Sequence, residues 1–141
     1  MKQHTIQNEE RMRAAIYIRV STEEQAVDGY SLAAQERICR AYATSHAWEI
    51  IEVYADEGIS GRSANRPALQ RLRAAVASGW IEAVIVHKLD RLARNLRLTI
   101  EIIEELGNRK VSFVSVAEQL DLTTPMGWAM FQVQGVFAEF Y

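Results

Sequence analysis

The sequence has little cysteine and no long apolar run, and each absence excludes a class of protein. Cys39 is the single cysteine among 141 residues, which excludes a disulfide scaffold and a zinc site of clustered cysteines. No apolar run approaches the roughly 18 residues of a membrane span. The polar N-terminus, MKQHTIQNEERMR, shows no secretory signal. We therefore expect one ordinary domain in a reducing compartment, the cytoplasm, with enough chain to bury a core unaided.

The net charge of −2 lacks the strong basic excess that is typical of nucleic-acid-binding domains. The distribution of charge is more informative, because cations concentrate in residues 62–73 and 88–97 while acids cluster elsewhere. Such local cations favour binding of an anion at one site on an acidic body. Glycine-rich phosphate loops, HExxH and CxxC motifs and the GxSxG elbow are absent from the sequence. The standard sites that depend on these motifs are therefore excluded.

Hydrophobic patterning predicts strands that alternate with helices. Apolar runs indicate strands at 14–20, 49–55, 83–86 and 111–116. Capping and stop signals indicate helices that begin after Ser31, run from Pro67 to Gly79, cover 96–106 before Gly107, and run from Thr124-Pro125 to Tyr141. Residues 1–13 are predicted to be a loose tail and 56–65 a loop.

Short connections between alternating strands and helices predict an α/β fold. We expect a mostly parallel sheet of about four to five strands, with helices on both faces and a long C-terminal helix. That last helix carries no stop signal, so we expect the natural chain to continue beyond it. Its apolar residues recur at helical spacing and fit either a subunit contact or packing on the sheet. They are Met126, Met130, Val133, Phe137 and Phe140.

Polar side chains follow the predicted strands at the edge where ligands bind in such sheets. Strand 14–20 runs into Ser21, with Arg19 on the same face; strand 49–55 runs into Asp56; strand 83–86 runs into residues 87–91. A serine beside arginines suits phosphate chemistry, because a guanidinium binds phosphoryl oxygens two at a time and stays charged.

Further arginines fit the same site. Arg91 and Arg94 share a face if they lie on one helix, and Arg97 extends the row. Arg66 precedes the amino end of a predicted helix, where free N–H groups favour anions.

Each candidate also has an ordinary structural interpretation. A serine or aspartate commonly caps a helix or turns a loop, and arginines three apart commonly line a solvated helix face. Cysteine, histidine and tryptophan beside apolar segments commonly pack in the core. The residues open to these interpretations are Ser21 with Glu24, Asp56, Asp90, Arg91, Arg94, Arg97, Cys39, His87, Trp80 and Trp128.

Several segments, taken together and in order, resemble the catalytic domain of the serine recombinases, the resolvase, invertase and integrase family. The segments are YIRVSTEEQ (17–25), SLAAQ (31–35), DEGISGRSANRPALQRL (56–72), VHKLDRLARN (86–95) and TPMGWAMFQVQGVFAEF (124–140). The SLAAQ segment is similar to the large serine integrases in particular. Trp128 departs from the family, which often has a basic residue at this position. Phe140 and Tyr141 also depart from it, because many members have charged residues after the position of Glu139.

The resemblance implies a reaction and a set of residues for it. Ser21 would attack a DNA phosphodiester, form a 5′-phosphoserine link and release a 3′-hydroxyl, with no metal, cofactor or ATP. The phosphate would be held by Arg19, Arg66, Arg91 and Arg94. Asp90 would orient these arginines or shuttle a proton. No histidine of this sequence stands at a position that would make it the general base for Ser21. The matching supporting positions are Tyr17, Gln25, Gln35, Asp56, Ser60, Lys88 and Glu139.

The resemblance also implies partners and domain organisation. The partners would be double-stranded DNA attachment sites and further copies of the chain, a dimer on DNA and a tetramer in synapsis, with no membrane. Residues 14–122 would form the catalytic domain and 123–141 the start of a long inter-subunit helix, without the DNA-binding domains. Two other functions stay open from the residues alone. One is a non-catalytic α/β module that binds phosphate or nucleotide, and the other is a serine hydrolase that uses Ser21, His87 and an aspartate.

Overall fold

The structure is a computed structural model that describes residues 11–21, 31–57, 66–92, 96–123 and 126–129. Several sequence predictions fall on other residues and therefore lie outside the described part of the chain. They concern the tail before residue 11, the capping partner Glu24, most of the last helix, and the candidate site residues Gln25, Ser60, Arg94 and Glu139.

The described chain alternates strands with helices. In chain order, the elements are β1 (Arg13–Val20), α1 (Leu32–Ser45), β2 (Glu49–Glu57), α2 (Pro67–Ala77), β3 (Ala83–Val86), α3 (Leu89–Leu92), α4 (Leu96–Asn108), β4 (Ser112–Ser115) and β5 (Leu120–Asp121). Residues 126–129 form a helical turn where the last helix is predicted to begin. None of the described helices is long and apolar enough to cross a membrane.

The strands form one five-stranded sheet in the order β2-β1-β3-β4-β5. Strands β1 to β4 are parallel and β5 runs antiparallel to β4, so the predicted mostly parallel sheet is confirmed. The chain passes from β1 outward to β2, then crosses back over β1 to reach β3. The carboxyl ends of β1 and β3 therefore flank a topological switch point, which is where open α/β sheets bind their ligands.

The two faces of the sheet carry separate cores, which confirms that helices cover both faces. Side chains of a strand alternate between faces: Ala14, Ile16 and Ile18 of β1 pack in the cluster that includes Cys39 of α1. Ala15 and Tyr17 pack with the apolar residues of α2, α3 and α4. Right-handed crossovers that run in opposite directions along a sheet place their helices on opposite faces, which accounts for this division.

Local signals place the ends of the first two long helices as predicted. The Ser31 hydroxyl accepts a hydrogen bond from the Ala34 amide at 3.1 Å and so caps α1. Pro67 occupies the first turn of α2, where its missing N–H costs nothing. After α2 the backbone of Gly79 takes φ +84°, a conformation that glycine adopts without strain.

Other boundaries differ from the prediction. Strand β1 begins at Arg13, and β2 continues through Glu57, so Asp56 lies in a strand instead of the predicted loop. The physical reason is pairing, because Arg19 and Val20 of β1 lie opposite Asp56 and Glu57.

The predicted stop at Gly107 is wrong, because α4 includes this glycine and ends at Asn108. The Trp128 ring occupies the place where a Cβ at position 107 would lie, so this glycine admits a neighbouring ring instead of ending the helix. Elements α3 and β5 were not predicted individually, since four and two residues are too few to show a period.

Candidate active site

Three buried arginines converge on the short helix α3, at the switch point of the sheet. Arg19 is 0% exposed, Arg91 1% and Arg66 2%, and the first two are the largest fully buried side chains among the described residues. Burial of a guanidinium is costly unless its N–H groups find acceptors. Such a concentration of buried cations is therefore difficult to explain by stability alone and indicates a functional site.

Backbone carbonyls at the end of α3 accept hydrogen bonds from two of these arginines. Arg19 donates from Nη2 to the Asp90 carbonyl at 2.8 Å and from Nε to the Arg91 carbonyl at 3.3 Å. Arg66 donates from Nη1 to the Leu92 carbonyl. The last carbonyls of a helix have no partner within it and carry partial negative charge, so cations bind well there. The carboxyl end of α3 thus gathers arginines from β1 and from the start of α2.

Arg91 completes the arrangement from within α3. It donates from Nη1 to the Arg19 carbonyl at 3.1 Å, so the two arginines exchange hydrogen bonds with each other's backbone. It also donates from Nε to Oδ1 of Asp90 at 2.9 Å. Asp90 is therefore ion-paired inside α3, and the N-cap interpretation of this residue is wrong.

Gln35 fixes the backbone of β1 at Arg19. Its Oε1 accepts from the Arg19 N–H at 3.2 Å, and its Nε2 donates to the Arg19 carbonyl at 2.9 Å. The hydrogen-bonded pairing of β1 with β3 extends only to Ile16 opposite Ile85. Beyond that point, the buried side-chain amide of Gln35 supplies hydrogen bonds to the β1 backbone. The strand is thereby kept extended up to Ser21, which directly follows it and is 5% exposed.

Asp56 joins β1, β2 and α2. Its Oδ2 accepts from the Tyr17 hydroxyl at 2.7 Å, while Oδ1 and Oδ2 accept from the amides of Ala68 and Leu69 at 2.9 and 3.1 Å. Asp56 thus binds the first amides of a helix that begins eleven residues later in the chain, although it lies in β2 and the N-cap position of that helix is Arg66. These hydrogen bonds also fix the start of α2, next to Arg66.

Burial raises the pKa of Tyr17 far above its ordinary value, and the hydrogen bond to Asp56 and the charge of Asp56 raise it further. The Arg66 guanidinium, which also hydrogen-bonds the phenol, acts in the opposite direction. The phenol therefore stays protonated and serves as a donor. Tyr17 is in this way a link between the Asp56 carboxylate and the arginine cluster.

His87 and Lys88 follow β3 and are half-buried. Burial lowers the pKa of His87, and the charges of Lys88 and Arg91 lower it further. The carboxylates of Asp90 and Glu118 act in the opposite direction but less strongly. His87 is therefore neutral near pH 7, beside a site whose cations disfavour a further positive charge.

The structure brings most of the predicted site residues together and separates one arginine. Arg91 is buried in α3, so the solvated-face interpretation is wrong for it. Arg97 of α4 is exposed whereas Arg91 is buried, so these two arginines of the predicted row do not share one environment. Residues 93–95 lie outside the described part of the chain, so the place of Arg94 is not given by this structure.

Glu118 and the backbone carbonyls of α3 contact the elements that build this site, and neither is among the residues predicted from the sequence. Glu118 Oε2 accepts from the Leu89 amide at 3.2 Å, and its Oε1 accepts from the buried Ser115 hydroxyl. The one sequence signal available for Glu118 is its place after the predicted strand 111–116, at the same edge as the other candidates.

Known proteins share the sequence pattern and the fold of this chain. The family model of the resolvase N-terminal domain matches residues 14–141. A putative DNA recombinase of Bacillus subtilis is 40% identical over 126 residues, and a DNA-invertase of Escherichia phage P1 is 33% identical over 123 residues. The crystal structure of the N-terminal catalytic domain of TP901-1 integrase superposes with a TM-score of 0.83 at 35% identity, over 91% of this chain and 95% of that one.

The chain belongs to the resolvase family of serine recombinases, and what it contains is their catalytic domain. The match includes 89% of this chain but 24% of the Bacillus protein, and 87% of this chain but 59% of the phage invertase. The chain thus spans a quarter to somewhat over half the length of these relatives. Membership in this family disfavours the non-catalytic module and the hydrolase as alternatives.

Proposed function

We propose that Ser21 is the nucleophile of a site-specific DNA recombinase. Its hydroxyl oxygen attacks a backbone phosphorus, forms a 5′-phosphoserine link and displaces the 3′-oxygen. The proton that Ser21 gives up balances the proton that the 3′-oxygen takes up as it leaves as a hydroxyl. The later attack of a 3′-hydroxyl on this link restores the phosphodiester and frees Ser21. The bond energy is kept in the covalent link, so the exchange is reversible.

The observation that carries this proposal is the convergence of buried Arg19, Arg66 and Arg91 at the end of β1 that leads into Ser21. Phosphoryl transfer depends chiefly on positioning and on neutralising charge at the phosphate oxygens. Guanidinium groups held in a low-dielectric site supply both. Arg94 would add a fourth cation, as the resemblance implies.

The remaining residues support these arginines. Asp90 holds the Arg91 guanidinium through the 2.9 Å contact and is the proposed proton shuttle. Gln35 fixes the strand before Ser21, and Tyr17 with Asp56 fixes the start of α2. The proposed supporting roles of Gln25, Ser60, Lys88 and Glu139 rest on the resemblance.

The partners follow from the same chemistry. Relatives named DNA recombinase and DNA-invertase support double-stranded DNA as substrate. We place the reaction in the cytoplasm of a bacterium, because one of these relatives comes from Bacillus subtilis and the other from a phage of Escherichia. We assign residues 14–122 to catalysis and 123–141 to the start of an inter-subunit helix, which would join a dimer on DNA and a tetramer in synapsis.

A covalent trap tests the proposal. The protein, in the length its gene encodes, is incubated with sheared genomic DNA of its source organism, quenched with detergent and extracted, so that only DNA with bound protein enters the protein phase. We expect captured fragments to share one sequence, and Ser21→Ala to abolish capture. Ser31→Ala is the matched control, because Ser31 caps α1 at the surface. Capture that survives Ser21→Ala, or its absence in the unchanged protein, would overturn the proposal.

A further inference from the structure

The turn that follows β4 is bound to the connection that leads from β3 into α3. The Val116 amide donates to the Val86 carbonyl at 3.0 Å, and the Ala117 amide donates to the His87 carbonyl at 2.9 Å. Glu118 lies next in this turn, on the side of the sheet edge where the arginines gather. The turn is therefore attached to the segment that carries Asp90 and Arg91.

The Glu118 carboxylate holds two groups that belong to different elements. One oxygen accepts from the hydroxyl of Ser115, which is 0% exposed at the end of β4. The other accepts at 3.2 Å from the amide of Leu89, the first residue of α3. The first amides of a helix have no partner within it, so an acidic side chain there both satisfies a donor and favours the helix dipole.

Helix α3 is thus held at both ends by groups from elsewhere in the chain. Glu118 binds its amino end, and Arg19 and Arg66 bind the carbonyls at its other end. Within the described residues, the Arg91 amide bonds back to the Lys88 carbonyl at 3.0 Å. The Leu89 amide and the carbonyls of Asp90, Arg91 and Leu92 instead bind side chains of other elements. The placement of Asp90 and Arg91 must therefore depend on these external contacts.

We infer that Glu118 is a positioning residue for DNA cleavage, which orients α3 so that Arg91 and Asp90 face the phosphate correctly. This inference rests on the proposed function of the same site. Glu118 acts through the Leu89 amide and the Ser115 hydroxyl and does not touch the phosphate. A small displacement of a catalytic group slows a reaction sharply, since the rate depends on near-ideal geometry.

The expected effect is on the cleavage step and not on DNA binding. With the DNA fragment captured in the covalent trap, Glu118→Ala should lower the single-turnover rate of adduct formation by about 10- to 100-fold while leaving DNA affinity unchanged. Glu118→Gln should restore most of the rate, because its amide oxygen still accepts from the Leu89 amide. Ser115→Ala should slow the reaction in part and add little to Glu118→Ala, since both act through one contact. Glu104→Ala, on the exposed face of α4, is the matched control.

Amide hydrogen exchange gives a readout that does not depend on DNA. Glu118→Ala should speed exchange at residues 89–92 and leave the amides of β1 and β3 protected. Four results would each overturn the inference. In Glu118→Ala they are unchanged exchange in α3, an unchanged cleavage rate, and a loss of DNA affinity parallel to the loss of rate. The fourth is a Glu118→Gln cleavage rate as slow as that of Glu118→Ala. Failure of the unchanged protein to form any adduct would instead overturn the proposed function, while the exchange experiment still tests how Glu118 holds α3.

Discussion

Asp56 accepts three hydrogen bonds within the described part of the site, and its removal tests how the site is held together. The carboxylate is 3% exposed and accepts from the Tyr17 hydroxyl and from the amides of Ala68 and Leu69. Asp56→Ala leaves all three donors without this acceptor. Loss of an N-cap costs about 1–2 kcal/mol, and loss of a buried hydrogen bond to a charged group costs about 1.5–3 kcal/mol. The free energy of unfolding should therefore fall by about 2.5–5 kcal/mol.

Tyr17→Phe isolates one part of this cost. It removes the 2.7 Å hydrogen bond to Asp56 but keeps the ring in the core, so we expect a loss of about 1.5–3 kcal/mol. Tyr42→Phe is the matched control, because the Tyr42 hydroxyl also donates to an aspartate, Asp121, at 3.1 Å in a partly exposed place. Its loss should be below about 1 kcal/mol.

Urea unfolding followed by tryptophan fluorescence measures these differences. The midpoint should shift while the slope stays constant, which shows that stability and not the extent of the unfolding has changed. A Tyr17→Phe loss no larger than that of Tyr42→Phe, or an Asp56→Ala loss below about 1 kcal/mol, would refute the description of Asp56 as the link between β1 and α2.

Three further predictions concern other parts of the molecule. Burial raises the pKa of Cys39 to about 12, so a thiol reagent at pH 8 should label it at the rate of global unfolding. In the unfolded chain His87 takes up a proton at its ordinary pKa of 6.5, whereas burial lowers its pKa in the folded chain. The free energy of unfolding should therefore fall as pH drops below about 6.5, and it should fall less in His87→Gln. Urea unfolding at several pH values measures this difference. Gly107→Ala should destabilise the protein by about 1–3 kcal/mol, because the new methyl group meets the Trp128 ring. In a Trp128→Ala background the same substitution should stabilise it by about 1 kcal/mol, because only the higher helix propensity of alanine then acts. Three results would contradict these expectations. They are labelling of Cys39 as fast as that of a free thiol, identical pH profiles of stability with and without His87, and a stability change of the same sign for Gly107→Ala in both backgrounds.

The sheet could be predicted from the sequence because its inner strands are unambiguous. Strand β3 is four apolar residues, all buried, and β1 is nearly as apolar, which is typical of strands covered on both faces. Their carboxyl ends then placed Ser21 and residues 87–91 at one edge without any coordinates. Asp56 was expected at the same edge, although the extension of β2 through it was not foreseen.

The contacts that build the site could not be predicted in the same way. Arg19 and Arg66 donate to backbone carbonyls of α3, and a carbonyl carries no residue identity in the sequence. Asp56 caps a helix that begins eleven residues away, whereas capping patterns are recognised only between close neighbours. Burial of Arg91 runs against the usual exposure of arginine, so its burial depends on tertiary contacts alone.

The attachment point of DNA on the protein is the most direct test of the central claim. The trapped adduct is digested with nuclease and protease, and mass spectrometry locates the residue that keeps a nucleotide remnant. If Ser21 is the nucleophile, a single modified residue, Ser21, will be found joined to a 5′-phosphate. A nucleotide on Ser31, on Tyr17 or on any residue other than Ser21, or a link through a 3′-phosphate, would contradict it.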